Sequence, residues 1–142
     1  MIHSDIVSAD KTLIDNTAKL FFDIFTNTGN KQPDWELIYE ICIPKAIIIK
    51  KIGSTEKVYS LQSFIEPRKI ILSDGTLTDF EENEINEETR IIGNIAQRFS
   101  RYQKTGFLNG KSFKEYGNKF FQFIKTNDGW KINSLVWEDD KL

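Results

Sequence analysis

The sequence predicts an α+β fold, in which helices pack on one face of a curved sheet. Apolar residues recur at helical spacing through much of the first half of the chain, up to about residue 72. From Thr76 onward the pattern is almost entirely that of β-strands. The chain ends on an aromatic-rich segment, 119–137, which Asp128-Gly129 divides into two strands of a hairpin. A hairpin with this many aromatic side chains must form one wall of a core.

The length of the chain, 142 residues, is typical of a single domain. No linker, repeat or low-complexity segment divides it. We expect residues 10–142 to form that domain and residues 1–9 to be a flexible lead-in. Asp10 is predicted to cap a first long helix, whose apolar residues continue to Phe25.

Two shorter helices and a pair of short strands are predicted next. The second helix covers about 34–41, and the third covers 61–72, where Pro67 is expected to split it into two pieces. Between them, a β-branched run at 46–51 turns toward a second strand at 58–59. Proline and glycine mark several of their limits, at Pro33, Pro44, Gly53 and Gly75.

Two long hairpins complete the prediction. Strands at 78–92 and 95–104 are joined by Gly93-Asn94, and the final hairpin turns at Asp128-Gly129. The order of elements is therefore helices, a short strand pair, a helix and a four-strand meander.

The final hairpin is apolar on both faces. A simple alternation places Phe121, Phe123, Ile132 and Val136 on one face, and Phe120, Ile124, Leu135 and Trp137 on the other. The helices can cover only one side of the sheet, so the other needs a partner. We therefore expect a homodimer formed through the face of Leu135, Trp137 and Phe120.

The composition excludes several classes of function. There are 19 basic and 21 acidic residues, a net charge of −2, so no basic excess indicates a nucleic-acid partner. One cysteine, Cys42, excludes an internal disulfide and a zinc site of several cysteines. No segment resembles a signal peptide or is long enough to span a bilayer, so no membrane association and a cytoplasmic location are expected. There is no glycine-rich phosphate loop, and we expect no cofactor.

The single histidine, His3, lies in the predicted lead-in. A Ser-His-Asp triad, a Cys-His pair or a histidine metal site in the domain is therefore excluded, and no metal is expected. If the domain is catalytic, its acid and base must be carboxylates, tyrosines or lysines.

Several motifs then identify a family that the chain resembles. They are Phe64-Ile65-Glu66-Pro67-Arg68, Asp74-Gly75-Thr76-Leu77-Thr78-Asp79-Phe80, Glu82-Asn83-Glu84-Ile85, Gly93-Asn94-Ile95-Ala96, Phe99-Ser100-Arg101-Tyr102 and Gly129-Trp130. With the order of elements, they resemble a bacterial subgroup of small SnoaL-like proteins in the nuclear transport factor 2-like superfamily. That superfamily includes the SnoaL-like polyketide cyclases and the ketosteroid isomerases, and it hosts enzymes, binding modules and dimerisation domains on one scaffold.

The resemblance implies a cone-shaped domain, in which a strongly curved, mostly antiparallel sheet of about six strands wraps around the long first helix. It implies a deep cavity between the concave face and that helix, and frequent dimerisation through the convex face. It also places Arg68 in a helical segment at the mouth of the cavity.

An acidic run is the most conspicuous polar feature of the sequence. It consists of Asp79, Glu81, Glu82, Glu84, Glu87 and Glu88. A solvated strand face that discourages edge pairing is the favoured interpretation. The alternative takes Glu82 and Glu84, which match the subgroup pattern, as catalytic residues, one of them a general base whose pKa is raised by burial.

The second hairpin supplies a different candidate site. Across Gly93-Asn94, a regular register pairs Thr89 with Arg98, Glu87 with Ser100 and Ile85 with Tyr102, and it puts Arg98, Ser100 and Tyr102 on one face. These groups suit an anion or a carbonyl group. The favoured alternative is an ion pair of Arg98 with Glu87 between ordinary strand residues. A bulge in the long strand would exchange the faces.

Arg68 and Tyr116 are further candidates for ligand contact, each with a structural role as the alternative. The sequence thus predicts a protein that binds a small, mainly apolar ligand with a polar or anionic end, through Arg68, Arg98, Ser100, Tyr102 and Tyr116. The alternatives are a cofactor-free isomerase, cyclase or dehydratase with Glu82 or Glu84 as base and Tyr102 as proton donor, and a dimerisation module.

Overall fold

The structure is a computed structural model that describes residues 2–141, with side chains described from residue 9 onward. The helices are α1 (Ile2–Asp23), α2 (Leu37–Ile41) and α3 (Leu61–Ser73), and one turn of 3-10 helix covers Thr28–Asn30. The strands are β1 (Cys42–Ile52), β2 (Thr55–Tyr59), β3 (Leu77–Ile92), β4 (Ile95–Leu108), β5 (Lys111–Thr126) and β6 (Gly129–Asp139). The side chain of His3 lies outside the described residues.

The six strands form one sheet in the order β2-β1-β6-β5-β4-β3. β1 and β6 run parallel, and the other neighbours are antiparallel. The helices pack on the concave face, where the buried side chains of alternate strand residues form the core. This arrangement confirms the predicted α+β class and the curved, mostly antiparallel six-stranded sheet.

Helix α1 begins at Ile2, so Asp10 is not its cap as the sequence analysis expected. Asp10 is buried inside the helix, where its Oδ1 accepts hydrogen bonds from Trp130 Nε1 at 2.9 Å and Lys125 Nζ at 3.1 Å. These bonds outweigh the effect of burial and lower the pKa of Asp10. Asp10 thus ties α1 to the last hairpin.

Helix α3 runs through Pro67 without a break, contrary to expectation. It starts with a capping box in which the Ser60 hydroxyl accepts from Ser63 N and the Ser63 hydroxyl accepts from Ser60 N. Apolar side chains on both sides of Pro67, among them Phe64 and Leu72, are buried in the core. Burial of apolar side chains in both halves of the helix offsets the free-energy cost of the backbone hydrogen bond that Pro67 cannot make.

Two of the register irregularities in the sheet change the predicted faces of residues near the core. In β6 the register shifts between Gln122↔Ser134 and Phe123↔Ile132, so Asn133 is an extra residue. Leu135 and Trp137 therefore lie on the concave face, 2% and 6% exposed, and their predicted place on the partner-facing side was wrong.

The second irregularity lies in β3. Glu84 pairs with Tyr102 and Asn86 with Arg101, which makes Ile85 the extra residue and corrects the predicted pairing of Ile85 with Tyr102. The predicted pairings of Thr89 with Arg98 and of Glu87 with Ser100 are present. With the bulge, Glu82, Glu84 and Glu87 all lie on the concave face, although a regular strand would separate Glu84 from Glu87.

A buried asparagine fixes the segments around the open part of the cone. Asn27 Nδ2 donates to the carbonyl oxygens of Leu72 at 3.0 Å and Leu77 at 2.9 Å, and its Oδ1 accepts from Phe80 N at 2.7 Å. One side chain thereby links the end of α1 to α3 and β3. Because Leu72, Leu77 and Phe80 also line a cavity on the concave face, Asn27 holds three parts of its wall in place.

Candidate functional site

The concave face of the sheet and the helices enclose a cavity of about 770 Å³. Much of its wall is aromatic, formed by Phe21, Phe25, Phe64, Phe80, Phe113 and Trp137. This volume is within the range of small-molecule sites, which is about 300–1,000 Å³. The cavity therefore has the size and the apolar surface that a small organic ligand needs.

The polar part of the wall is predominantly basic. Among the described residues that line it, the basic ones are Lys50, Arg68, Lys104, Lys111, Lys114 and Lys119, and the acidic ones are Glu82 and Glu115. The whole chain carries a net charge of −2, so this basic excess is local to the cavity. A wall of this charge attracts anions.

Lys119 and Glu82 form a buried charge pair in this wall. Lys119 Nζ lies 2.6 Å from Glu82 Oε1, and the two residues are only 4% and 8% exposed. Burial lowers the pKa of the Lys119 ammonium, while the charge of Glu82 opposes that effect. Glu82 Oε1 has no hydrogen-bond donor of regular geometry among the described residues, so the contact is a charge contact.

Aromatic rings surround the ammonium of Lys119. Its Nζ lies 4.0 Å from the ring centroid of Tyr102, 5.1 Å from that of Trp137 and 5.8 Å from that of Phe22. Each such contact contributes about 0.5–2 kcal/mol to holding a cation. The amine is thus fixed at the wall by one carboxylate and three rings.

Asp139 holds Tyr102 and two further lysines of the wall in place. It accepts a hydrogen bond from the Tyr102 hydroxyl, and its Oδ2 lies 3.0 Å from Lys104 Nζ and 3.5 Å from Lys50 Nζ. Burial works to raise the pKa of Asp139, but the bond from Tyr102 and the lysine charges outweigh it and lower that pKa. Burial also raises the pKa of the Tyr102 phenol, which therefore stays a neutral donor.

Gly117 makes room for this hydrogen bond. It lies opposite Tyr102 on β5, and a Cβ at position 117 would be 2.1 Å from the Tyr102 hydroxyl oxygen. Any other residue would push the Tyr102 hydroxyl away from Asp139. It would also displace the Tyr102 ring, which lies beneath the ammonium of Lys119.

Arg68 is another cation of the cavity wall. Its guanidinium lies 3.8 Å from the ring centroid of Phe64 and donates to the Phe64 carbonyl oxygen at 2.9 Å. No carboxylate lies within ion-pair distance of it among residues 9–141. Burial lowers the pKa of Arg68. Its position agrees with the expected place at the cavity.

A second charged cluster lies outside the cavity, between α1 and the sheet. Arg98 bridges Asp15 of α1, with Nη1 at 2.6 Å, and Glu84 of β3, with Nη2 at 2.6 Å. The Ser100 hydroxyl also donates to Glu84, and Glu87 lies 3.5 Å from Arg98. The ion pair with Glu87, the favoured alternative from sequence, is thus part of a larger network that fastens the helix.

The residues that the sequence predicted for the site therefore do not all lie in one place. Glu82 and Arg68 line the cavity, whereas Glu84, Arg98 and Ser100 do not. Tyr102 is fully buried beneath Lys119. Tyr116 pairs with Gln103 on the convex side, where Arg101 lies 5.6 Å from its ring centroid.

Sequence reasoning missed four residues of the site: Lys50, Lys104, Lys119 and Asp139. The sequence pattern indicated one of them. Lys119, Phe121 and Phe123 are alternate residues of one strand, so their side chains share a face. A lysine on the face of buried aromatic residues is rare unless it is paired. Asp139 lies beyond the predicted end of the hairpin at Trp137.

No helix in residues 2–141 is long and apolar enough to cross a membrane. Among the side chains of residues 9–141, no group of three or more His, Cys, Asp or Glu is placed to hold a metal ion.

Solved structures share this fold over almost the whole chain. A nuclear transport factor 2-like superfamily protein from Salmonella enterica matches with a TM-score of 0.77 and 15% identity, over 96% of this chain and 94% of that one. A nuclear transport factor 2-like protein with a cystatin-like fold from Novosphingobium aromaticivorans matches with a TM-score of 0.75 and 10% identity, over 97% and 86%. A protein of unknown function from Silicibacter pomeroyi matches with a TM-score of 0.65 and 16% identity, over 94% and 98%.

These matches confirm the nuclear transport factor 2-like cone fold that the resemblance implied. At such identities they concern the fold alone. No protein-family model matches the sequence, and no curated protein matches it.

Replacement of Asp139 by Asn tests the charge network behind the wall. The pKa of Asp139 is lowered in the folded protein, so its contribution to stability is present above the ordinary Asp value of about 3.9 and is lost as the pH falls through the lowered value. We expect Asp139→Asn to reduce the free energy of unfolding by about 1–3 kcal/mol at pH 7, and less at pH 3. Urea denaturation at both pH values measures this difference. Asp128→Asn, in the exposed hairpin turn, is the matched control, and an equal loss at both pH values contradicts the assignment.

Proposed function

We propose that this protein binds a small, mainly apolar ligand with an anionic end in the cone cavity. The observation that carries the proposal is the basic excess in a wall that is otherwise aromatic. Aromatic side chains supply the apolar contact, and the cations fix the orientation of the ligand.

The balance of charge favours an anion over a neutral ligand. Lys50 and Lys104 share the carboxylate of Asp139, and Glu115 lies 4.0 Å from Lys104. Arg68 has no carboxylate partner among the described side chains. A carboxylate or a similar group on the ligand would complete these pairs with charge-assisted hydrogen bonds.

Matched ligands test this proposal. We expect 4-phenylbutyrate to bind about tenfold or more tightly than 4-phenylbutanamide in titration calorimetry, which corresponds to about 1.4 kcal/mol. Arg68→Gln and Lys104→Gln should each reduce the preference for the carboxylate, whereas Lys45→Gln, on the exposed part of β1, should not. Equal affinity of the two ligands, or a preference that neither cavity variant changes, would count against an anion site.

A second candidate function is a cofactor-free acid–base enzyme. One observation favours it: Glu82 lines the cavity, and its Oε1 is buried with no regular hydrogen-bond donor among the described residues. Such an oxygen can accept a proton from a carbon acid, while the ammonium of Lys119 stabilises the enolate. Glu84 is engaged by Arg98 and Tyr102 by Asp139, so Glu82 and Lys119 take the roles that the sequence analysis gave to those residues.

Isotope exchange tests this second function. We expect the enzyme to accelerate exchange of the methyl protons of 4-acetylbenzoate in deuterated buffer, as followed by NMR. Glu82→Gln should slow the exchange about 100-fold or more without a comparable loss of binding. Glu88→Gln, on the exposed face of the same strand, is the control. If exchange is no faster than in buffer, or is unchanged in Glu82→Gln, Glu82 is not the base.

We further propose that a second copy of the chain covers the convex face of the sheet. The register aligns an apolar row across five strands, consisting of Val58, Ile49, Val136, Phe120 and Phe99. Phe120 is 53% exposed, so this row is open to a partner. A two-fold axis through the row would let identical surfaces cover each other. Leu135 and Trp137, which face the core, have no part in it.

Light scattering tests the dimer. We expect a dimer for the natural chain and a monomer for Phe120→Glu, because a charge in the apolar row opposes its burial. Gln62→Glu, on the exposed side of α3, should leave the dimer intact. A monomeric natural chain would exclude this partner.

A further inference from the structure

We infer that Lys119 is a nucleophilic amine that forms an imine with an aldehyde or ketone bound in the cavity. The inference rests on the proposed binding of an anion-bearing ligand, and it adds a covalent step and a substrate class to that site. Lys119 would then be a catalytic residue, with Glu82 as the group that moves its protons.

The position of Lys119 suits this chemistry. Its side chain lines the cavity from the middle of β5, and the three surrounding rings and Glu82 hold the amine in place. The other inner-wall lysines differ, because Lys50 and Lys104 are held by Asp139 and their side chains are 27% and 17% exposed, against 5% for Lys119. Geometry thus singles out one amine.

The electrostatic environment supports a reactive amine. Burial lowers the pKa of Lys119, so more of the neutral amine is present near neutral pH than for a lysine in water. Desolvation in an apolar pocket is one of the established ways to activate a lysine for imine formation. Glu82, 2.6 Å from Nζ, is within reach to accept the proton that the ammonium must lose.

The step balances with these two residues alone. The ammonium of Lys119 gives one proton to Glu82, and the free amine attacks the carbonyl carbon while the C=O π bond breaks. The alkoxide takes the proton from Glu82 to give a carbinolamine. Glu82 then accepts a second proton from nitrogen and passes it to the hydroxyl group, which leaves as water as the C=N bond forms. The iminium remains opposite the Glu82 carboxylate, so the charge of the pair is unchanged.

The rest of the wall defines the substrate class. The aromatic side chains favour an aryl or branched apolar body. Arg68 favours a carboxylate on that body, because its guanidinium lies 5.7 Å from the centroid of the Trp137 ring that Lys119 also contacts, at 5.1 Å. The class is therefore a small aromatic aldehyde or methyl ketone that carries a carboxylate. Such a substrate would be fixed at one end by charge and at the other by the imine.

Reductive trapping tests the inference. The natural protein is incubated with 4-formylbenzoate and sodium cyanoborohydride at pH 6.5, digested and mapped by mass spectrometry. We expect Lys119 to be modified about tenfold or more faster than exposed lysines such as Lys45, because these are almost fully protonated at that pH. Glu82→Gln should slow trapping at Lys119, whereas Glu88→Gln should not.

Two controls keep the result decisive. Lys119→Arg and Lys119→Met should lose the modification at this position. The labelling rate of Lys119 is measured on the natural chain, so the result does not depend on whether a variant folds. Binding of 4-methylbenzoate, which has no aldehyde or ketone group for the amine to attack, is measured by calorimetry in parallel. If 4-methylbenzoate binds and Lys119 is not labelled faster than Lys45, the imine is excluded and the binding function stands. If 4-methylbenzoate does not bind, the proposed function fails and the inference fails with it.

Discussion

The site depends on the burial of one lysine ammonium among aromatic side chains on the concave face of the sheet. A charge at that position is tolerated only with a close counter-charge, and loss of one partner of such a pair typically costs about 3–5 kcal/mol. Glu82 supplies the counter-charge at 2.6 Å from Lys119 Nζ. Tyr102 supplies the ring beneath the ammonium, and it can lie there because Gly117 leaves room for its hydroxyl.

The concave face divides into two charged regions with different roles. Around Arg98, the carboxylates of Asp15 and Glu84 satisfy the guanidinium and fasten α1 to the sheet, so these groups are not available to a ligand. In the cavity the opposite holds, since the cations outnumber the carboxylates and Arg68 has no carboxylate partner among the described side chains. Charge that remains unsatisfied beside an open apolar volume is typical of a binding site.

Much of the fold could be predicted from the sequence, because hydrophobic periodicity and turn residues mark most elements directly. The site could be predicted only in part, because it depends on bulges, among them those at Ile85 and Asn133, and a bulge requires no particular residue type. The bulge at Asn133 turned Leu135 and Trp137 to the core, and the one at Ile85 brought Glu84 opposite Tyr102. The ion pair of Arg98 with Glu87 was predicted correctly because both residues lie between the bulge and the turn, where the register is regular.

The most direct test is the pKa of the Lys119 amine, measured by NMR titration of its side-chain carbon and nitrogen signals and assigned with Lys119→Arg. If the ammonium is buried opposite Glu82, its pKa lies below the ordinary lysine value of about 10.4. Glu82→Gln should lower it further, because the counter-charge is lost. A pKa at the ordinary value that Glu82→Gln leaves unchanged would show that the amine is exposed to water and unpaired, and would contradict the account of the site.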